Sequence, residues 1–288
     1  MKTLHVDTGR EMGGGQWQAL YLMERLTGAA LLAPEASPLM AEARARGIEA
    51  HPLSAVALAR MARESDLVHA HDARAHTLAA VLKGARLVVA RRVAFPVNRG
   101  LLSRVKYARA DLYLAVSRCV AAQLEQAGVE REKIRVVYDG VPLVGAACGD
   151  QIVALGSKNV DLIRRASEIA GVEVRFTTNL WDDLSKAKMF LYASGAEGLG
   201  SAALAAMSAG VPVIASRVGG LPEAVEHERT GILAENRPED FADAITRLLR
   251  DPELAREMGR RGRERVERMF TIEGMVRNTV AGYDEVCG

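Results

Sequence analysis

Cysteine is scarce in this chain. Its three thiols, Cys119, Cys148 and Cys287, are odd in number and far apart in 288 residues. That pattern excludes a disulfide framework and any CxxC-type zinc or redox motif, so they read as isolated thiols of a reducing compartment. Long apolar runs are also missing: none reaches the roughly 18 residues needed to span a bilayer. The opening Met1–Asp7 becomes a strand at once and has no signal-peptide h-region. A net charge of only +2 is no footprint for nucleic acid. The GxGxxG dinucleotide fingerprint, the GxxxxGK[ST] phosphate loop and the HxHxDH pattern of binuclear hydrolases are all absent. What remains is a globular composition, 49% hydrophobic and 26% charged, in a chain long enough for two cores.

Apolar strand-like runs alternate with segments of helical period. The first series comprises Thr3–Asp7, Ala30–Leu32, Leu67–Ala70, Leu87–Ala90, Leu112–Val116 and Ile134–Val137. Helices such as Gln16–Leu26 lie between them. Repeated βα units predict a parallel sheet covered on both faces. An aperiodic Gly/Pro-containing stretch, Asp139–Asp150, then reads as an interdomain linker. A second series follows: Gln151–Leu155, Val174–Phe176, Phe190–Tyr192, Val211–Ala215 and Gly231–Leu233, with helices opening near Pro238 and Pro252. The charged run Arg256–Arg268 reads as a solvated helix face. Charge is uneven: residues 1–145 carry 20 Lys/Arg against 14 Asp/Glu (+6), whereas residues 146–288 carry 18 against 22 (−4). A basic first half suits an anionic acceptor or membrane surface.

Chemistry concentrates in a few turns. Glu197-Gly198-Leu199-Gly200-Ser201 is a glycine turn presenting one acid before a small-residue helix and the buried strand Val211–Ser216. Free N–H groups at such a helix start, with the positive end of its dipole, suit a diphosphate. Gly13-Gly14-Gly15 after the first strand lets backbone press against a ligand. His69 and His71 share a strand face beside Asp72; the set tempts a metal reading, but without the binuclear-hydrolase pattern it reads as structural or cleft-lining. Arg91 and Arg92 end the fourth run. With Arg99, Arg104, Lys106 and Arg109 nearby in sequence, they form a candidate basic patch for phosphate or carboxylate. Lys158 sits at the first strand–helix turn of the second series.

These motifs resemble the retaining GT-B glycosyltransferases of family 4, over nearly the whole chain. The family's donor motif places a second Glu eight residues after the first; here Ala205 stands in its place. Lys158 matches a family lysine on the donor diphosphate, with Ser157 near the place of its companion Arg. Gly14, Gly15, His69, Arg91 and Arg92 match the acceptor side, where Arg91 and Arg92 replace a common histidine, as in lipopolysaccharide-type members. Lys106–Ser117, Ile134–Val141 and Ser216–Glu223 continue the likeness.

The resemblance implies two Rossmann-like α/β domains facing across a cleft, the second trimmed by one βα unit. Residues 1–143 would form the acceptor side, 144–271 the donor side, and 272–288 a helix returning to the first domain. It implies sugar transfer, with retention, from a nucleotide diphosphate sugar to a glycan or lipid-linked acceptor of the cell envelope. Glu197 would act on the sugar, and Lys158, Ser157 and Gly198–Ser201 would bind the donor. No cofactor and no obligatory metal are expected. The expected location is the cytoplasm, with peripheral contact at an anionic membrane face. A non-catalytic homologue that binds a nucleotide, glycan or protein is the alternative, resting on Ala205, the missing Arg and the missing βα unit.

Overall fold

The computed structural model describes residues 1–82, 84–95 and 100–288. The chain divides into two compact units, Met1–Tyr138 with Ile272–Gly288, and Asp139–Thr271. In the first unit the strands are β1 (Thr3–Val6), β2 (Ala29–Ala33), β3 (Glu49–Pro52), β4 (Leu67–Ala70), β5 (Arg86–Arg91), β6 (Leu112–Ala115) and β7 (Ile134–Val136). They pair in parallel in the order β3-β2-β1-β4-β5-β6-β7. Between them run α1 (Gly14–Met23), α2 (Pro38–Ala45), α3 (Ala55–Glu64), α4 (Ala73–Ala79), α5 (Leu101–Ala108) and α6 (Arg118–Gln126). The central strands are buried throughout because helices cover both faces. Side-chain caps set several helix starts: Ser37, Ser54, Asp72 and Ser117 each accept a first-turn N–H. β3 is the strand without an apolar run. Glu49-Ala50-His51-Pro52 lies half-exposed at the sheet edge, where a proline costs no ladder bond.

The second unit comprises β8 (Gln151–Leu155), α7 (Val160–Ala170), β9 (Arg175–Thr177), α8 (Leu180–Leu184), β10 (Ala187–Tyr192), α9 (Ser201–Ser208), β11 (Val213–Ser216), α10 (Leu221–Ala224), β12 (Gly231–Ala234), α11 (Pro238–Arg250) and α12 (Pro252–Met269). Its parallel sheet runs β12-β11-β10-β8-β9 over a core that includes Met189, Leu191, Ile214, Phe241 and Leu248. The aperiodic stretch 139–150 is a strap on this unit rather than a loose linker. Val141 N–H donates to Phe270 O, Ala147 N–H to Ala209 O and Cys148 N–H to Ser185 O. The face 256–268 of α12 is mostly solvated, with one correction. Arg265 is buried, donates to Ala224 O at 2.9 Å and Glu223 O at 2.8 Å, and pairs with Glu226.

The last helix, α13 (Ile272–Cys287), belongs to the first unit. Ile272, Met275 and Tyr283 pack there among Tyr21, Leu112 and Leu114. No helix among the described residues is long and apolar enough to cross a membrane.

Strand order fixes where ligands can sit. In the first unit the chain winds outward from β1 through β2 to β3, then crosses to β4 on the other flank of β1. In the second unit β9 lies on one side of β8 and β10 on the other. Helices leave opposite faces at such reversals, opening a crevice beyond the carboxyl ends of the two strands. The points are β1/β4 and β8/β10.

Candidate functional site

At the β8/β10 reversal the two loops deliver one cation and one anion. Lys158 follows β8, and its Nζ lies 2.9 Å from Oε1 of Glu197, which follows β10. Ser194 Oγ donates to the same carboxylate oxygen at 3.0 Å. The Tyr192 hydroxyl also bonds to Glu197; burial first, then that charge and bond, raise its pKa above the usual tyrosine range. A closed polar ring steadies the strand end. Ser194 N–H donates to Ser216 Oγ (2.9 Å), Ser216 Oγ to Asn236 Oδ1 (2.6 Å), and Asn236 Nδ2 to Ser194 O (2.9 Å).

The turn leaves little room to move. Gly220 N–H donates to Glu197 O, and a Cβ on Gly219, which has φ +54°, would lie 2.0 Å from that oxygen. Gly200 has φ +100°, and a Cβ there would lie 2.5 Å from Leu221 Cδ2. Gly200 is the N-cap of α9 and supplies no side chain, so the first N–H groups of the helix carry no side-chain cap. Gly198, Leu199 and Gly200 are buried, so the Leu199 side chain belongs to the core and only backbone serves the turn. Ser157 is exposed, Ser201 is half-buried, and Ala205 is buried within α9 with no polar side-chain atom.

At the β1/β4 reversal the two loops are tied by carboxylates. Asp72 accepts from Thr8 N–H and, at 2.8 Å, from Thr8 Oγ1, while also capping α4. Asp7 accepts from Gly9 N–H at 2.7 Å and from Gln16 Nε2 at 3.1 Å. Burial raises the Asp7 pKa, the Asp72 charge adds to this, and the Gly9 bond opposes it. Gly14 and Gly15 open α1, and Arg92 Cδ lies 3.8 Å from the place of a Gly15 Cβ. A concavity of about 410 Å³ lies alongside, lined by Thr8, Arg10, Leu53, Arg74, Thr77 and Leu78.

His69 does not line a surface: it is wholly buried, and its Nδ1 lies 2.6 Å from Tyr283 Oη of α13. The residue at the edge is His71. Arg92 Nη1 lies 3.3 Å from His71 Nδ1, His71 Nε2 lies 2.9 Å from His5 Nδ1, and His5 Nε2 lies 3.0 Å from Thr3 Oγ1. A guanidinium can only donate, so the tautomers follow in sequence: His71 donates through Nε2 to His5, and His5 through Nε2 to Thr3. Burial, reinforced by the Arg92 charge, pushes His5 down to about 3 and His69 and His71 well below the usual histidine range. The three rings have nitrogens within 4.8 Å of one another. The donor set suits a metal poorly, because His5 and His71 spend their facing nitrogens on each other beside a fixed positive charge.

Arg91 and Arg92 do not join in one basic patch. Adjacent residues at a strand end point to opposite faces. Arg92 joins His71 and Gly15, whereas Arg91 Nη2 donates to Phe95 O at 2.7 Å and its charge bears on His76 and Lys106. Arg99 lies outside the described residues, and so does Pro96. Lys106 donates to Ala73 O and Arg109 to Leu82 O, so both are tied to backbone, while Arg104 is exposed.

Two parallel sheets, each with loops gathered at a reversal, form an architecture that takes ligands at those loops, and comparison with known proteins gives the family. Residues 13–144 match the model for Glycosyltransferase Family 4, and residues 147–265 match that for Glycosyl transferases group 1. The chain belongs to this family and has the GT-B fold. Over 99 residues it is 41% identical to an N-acetyl-alpha-D-glucosaminyl L-malate synthase of Bacillus anthracis, covering 34% of this chain and 26% of that protein. Over 69 residues it is 51% identical to a GDP-mannose-dependent phosphatidylinositol monomannoside mannosyltransferase of Mycobacterium tuberculosis, covering 24% and 18%. The matched segments thus span under a third of these relatives' lengths. Among solved structures it is similar to Anabaena HepE in complex with UDP and glucose, with TM-score 0.88, 16% identity and 99% of both chains covered. It is also similar to the lipopolysaccharide outer core galactosyltransferase WaaB, with TM-score 0.74, 15% identity and 99% of both chains covered.

Proposed function

We propose that the protein transfers a hexose, with retention, from a nucleotide diphosphate sugar to a glycan or lipid-linked acceptor in the cytoplasm. The observation that carries this reading is the Lys158–Glu197 pair beside the uncapped start of α9, at the β8/β10 reversal. An anionic diphosphate placed there meets the helix N–H groups and Lys158, which stabilise the charge that develops on the leaving group. Glu197, released from Lys158 by the incoming phosphates, turns its carboxylate to the hydroxyls of the sugar. Tyr192 and Ser194 keep it aimed. The donor phosphate serves as base toward the acceptor hydroxyl, and no metal is required.

Ala205 offers the ribose no hydrogen bond, so the donor is held chiefly by its diphosphate and sugar. UDP and UDP-glucose in the HepE structures support a uridine diphosphate donor as the first to try. The acceptor belongs to the first unit, near Gly14, Gly15 and Arg92. Contact with an anionic membrane surface completes the reading.

Calorimetric titration with UDP, GDP, ADP and their sugar conjugates tests it. Binding of one nucleotide series is expected, weakened across that series by Lys158→Ala and for the sugar conjugates by Glu197→Ala. Silence across the panel at millimolar ligand overturns it in favour of a non-catalytic homologue. Proton NMR of the product's anomeric centre then reads retention.

A further inference from the structure

α5 turns its apolar side outward. None of its residues is buried, and Leu101, Leu102 and Val105 are 77%, 86% and 64% exposed. With about 100° between successive residues, these three fall within an arc of about 100°. Arg104 borders that arc on one side and Lys106 on the other. The helix is anchored from its opposite side: Tyr107 stacks on Tyr113 at 5.6 Å and meets His76 edge-on at 5.1 Å. Its outward leucines are therefore set by the way it docks and not by fraying. Val93 and Phe95, just before it in the described chain, are exposed as well.

Charge supplies a second, independent observation. Residues 73–110 contain nine Lys/Arg and not one Asp or Glu. Elsewhere arginines are commonly answered by neighbouring acids, as along α12. An apolar stripe alone would suit a second protein, and a basic field alone would suit a nucleic acid. Apolar side chains rimmed by cations, within an acid-free segment, match the boundary of an anionic bilayer, where headgroups meet charge and acyl chains meet leucine.

We infer that α5 is a membrane-surface contact, with Leu101, Leu102 and Val105 entering the acyl boundary and Arg104 facing anionic headgroups. The inference rests on the transfer reading for its purpose, since a lipid-linked acceptor is met at such a surface, but not for its test. The full chain is sedimented with vesicles of phosphatidylcholine, with and without phosphatidylglycerol, at low and high salt. Binding that requires phosphatidylglycerol and weakens with salt is expected. Leu101→Gln/Leu102→Gln/Val105→Gln should reduce it by about tenfold or more. Arg104→Gln should give a smaller loss that vanishes at high salt. Both variants change exposed positions, so circular dichroism and melting should match the parent.

No binding to phosphatidylglycerol vesicles, or equal binding by the triple variant, overturns the proposal. So does a dimer that the triple variant dissolves while vesicles are ignored. Nucleotide titration of the same samples separates the two readings. Vesicle binding without nucleotide binding sinks the transfer reading alone, and the reverse sinks the membrane contact alone.

Discussion

Glu197 works within a set of partners assembled from three parts of the second unit, and its variants should separate chemistry from stability. Glu197→Ala removes the acceptor for Lys158, Ser194 and Tyr192. Ser194 keeps Ala196 O, at 3.1 Å, so the buried Tyr192 hydroxyl bears most of the loss, about 1–3 kcal/mol. The chain should stay folded by circular dichroism while transfer is lost; undiminished turnover would refute the role given to this carboxylate. Lys158→Met should weaken a nucleoside diphosphate by about one to two decades and the monophosphate far less, because a lysine on the second phosphate matters only when that phosphate is present. Equal losses on both would place Lys158 elsewhere. The position of Glu197 and Lys158 at strand–helix turns was readable in the sequence, whereas the roles given to them come from the resemblance. Tyr192, Ser194 and Asn236 were not readable. A serine and an asparagine 42 residues apart carry no local signal, and only the β10/β11/β12 adjacency brings them together. The burial of His69, placed on the acceptor side by the resemblance, was not readable for the same reason: its neighbour Tyr283 lies 214 positions away.

Elements were legible where burial imposes a pattern. The central strands are apolar because two helical layers cover them, and they stand where the apolar runs predict. β3 was missed because an exposed edge strand needs no such run, and α8 because five residues cannot display a period. The strap 139–150 shows the converse: lack of period marks absence of helix and strand, not absence of contact. At this scale the turn 197–200 is governed by its far wall. Gly219→Ala would drive a methyl into Glu197 O and impose φ +54° on a side chain. It should cost roughly 1–3 kcal/mol and lower nucleotide-sugar affinity about tenfold or more by displacing Glu197. Thermal melting and the same calorimetric titration would read both. A melting loss with unaltered affinity would show that the turn relaxes without carrying Glu197 with it.

For the whole molecule, stability should depend steeply on acid. His5, His69, His71 and His76 are buried and neutral, and burial is the first cause of every one of their depressed pKa values. A depressed folded pKa means that the unfolded chain binds more protons below about 6.5, so stability is whole above that value and falls as pH drops toward 3. Each histidine contributes a slope approaching about 1.4 kcal/mol per pH unit in that window. Asp7, raised by burial, pulls the other way but is a single group. Melting temperatures measured from pH 7.5 down to 5 should fall markedly, and His5→Asn should flatten the decline; a parallel decline in the variant would assign the acid sensitivity to other groups.

The position of α13 has a further consequence, for the order in which the molecule is made. Residues 139–271 form the second unit without interruption, whereas the first unit must wait for residues 272–288 to bring Tyr283 to His69 and cover Leu112 and Leu114. On the ribosome the later-encoded unit can therefore close first. Until then the earlier one carries an uncovered apolar face and a buried histidine lacking its hydroxyl, which makes the emerging chain, rather than the finished one, the species most in need of a chaperone.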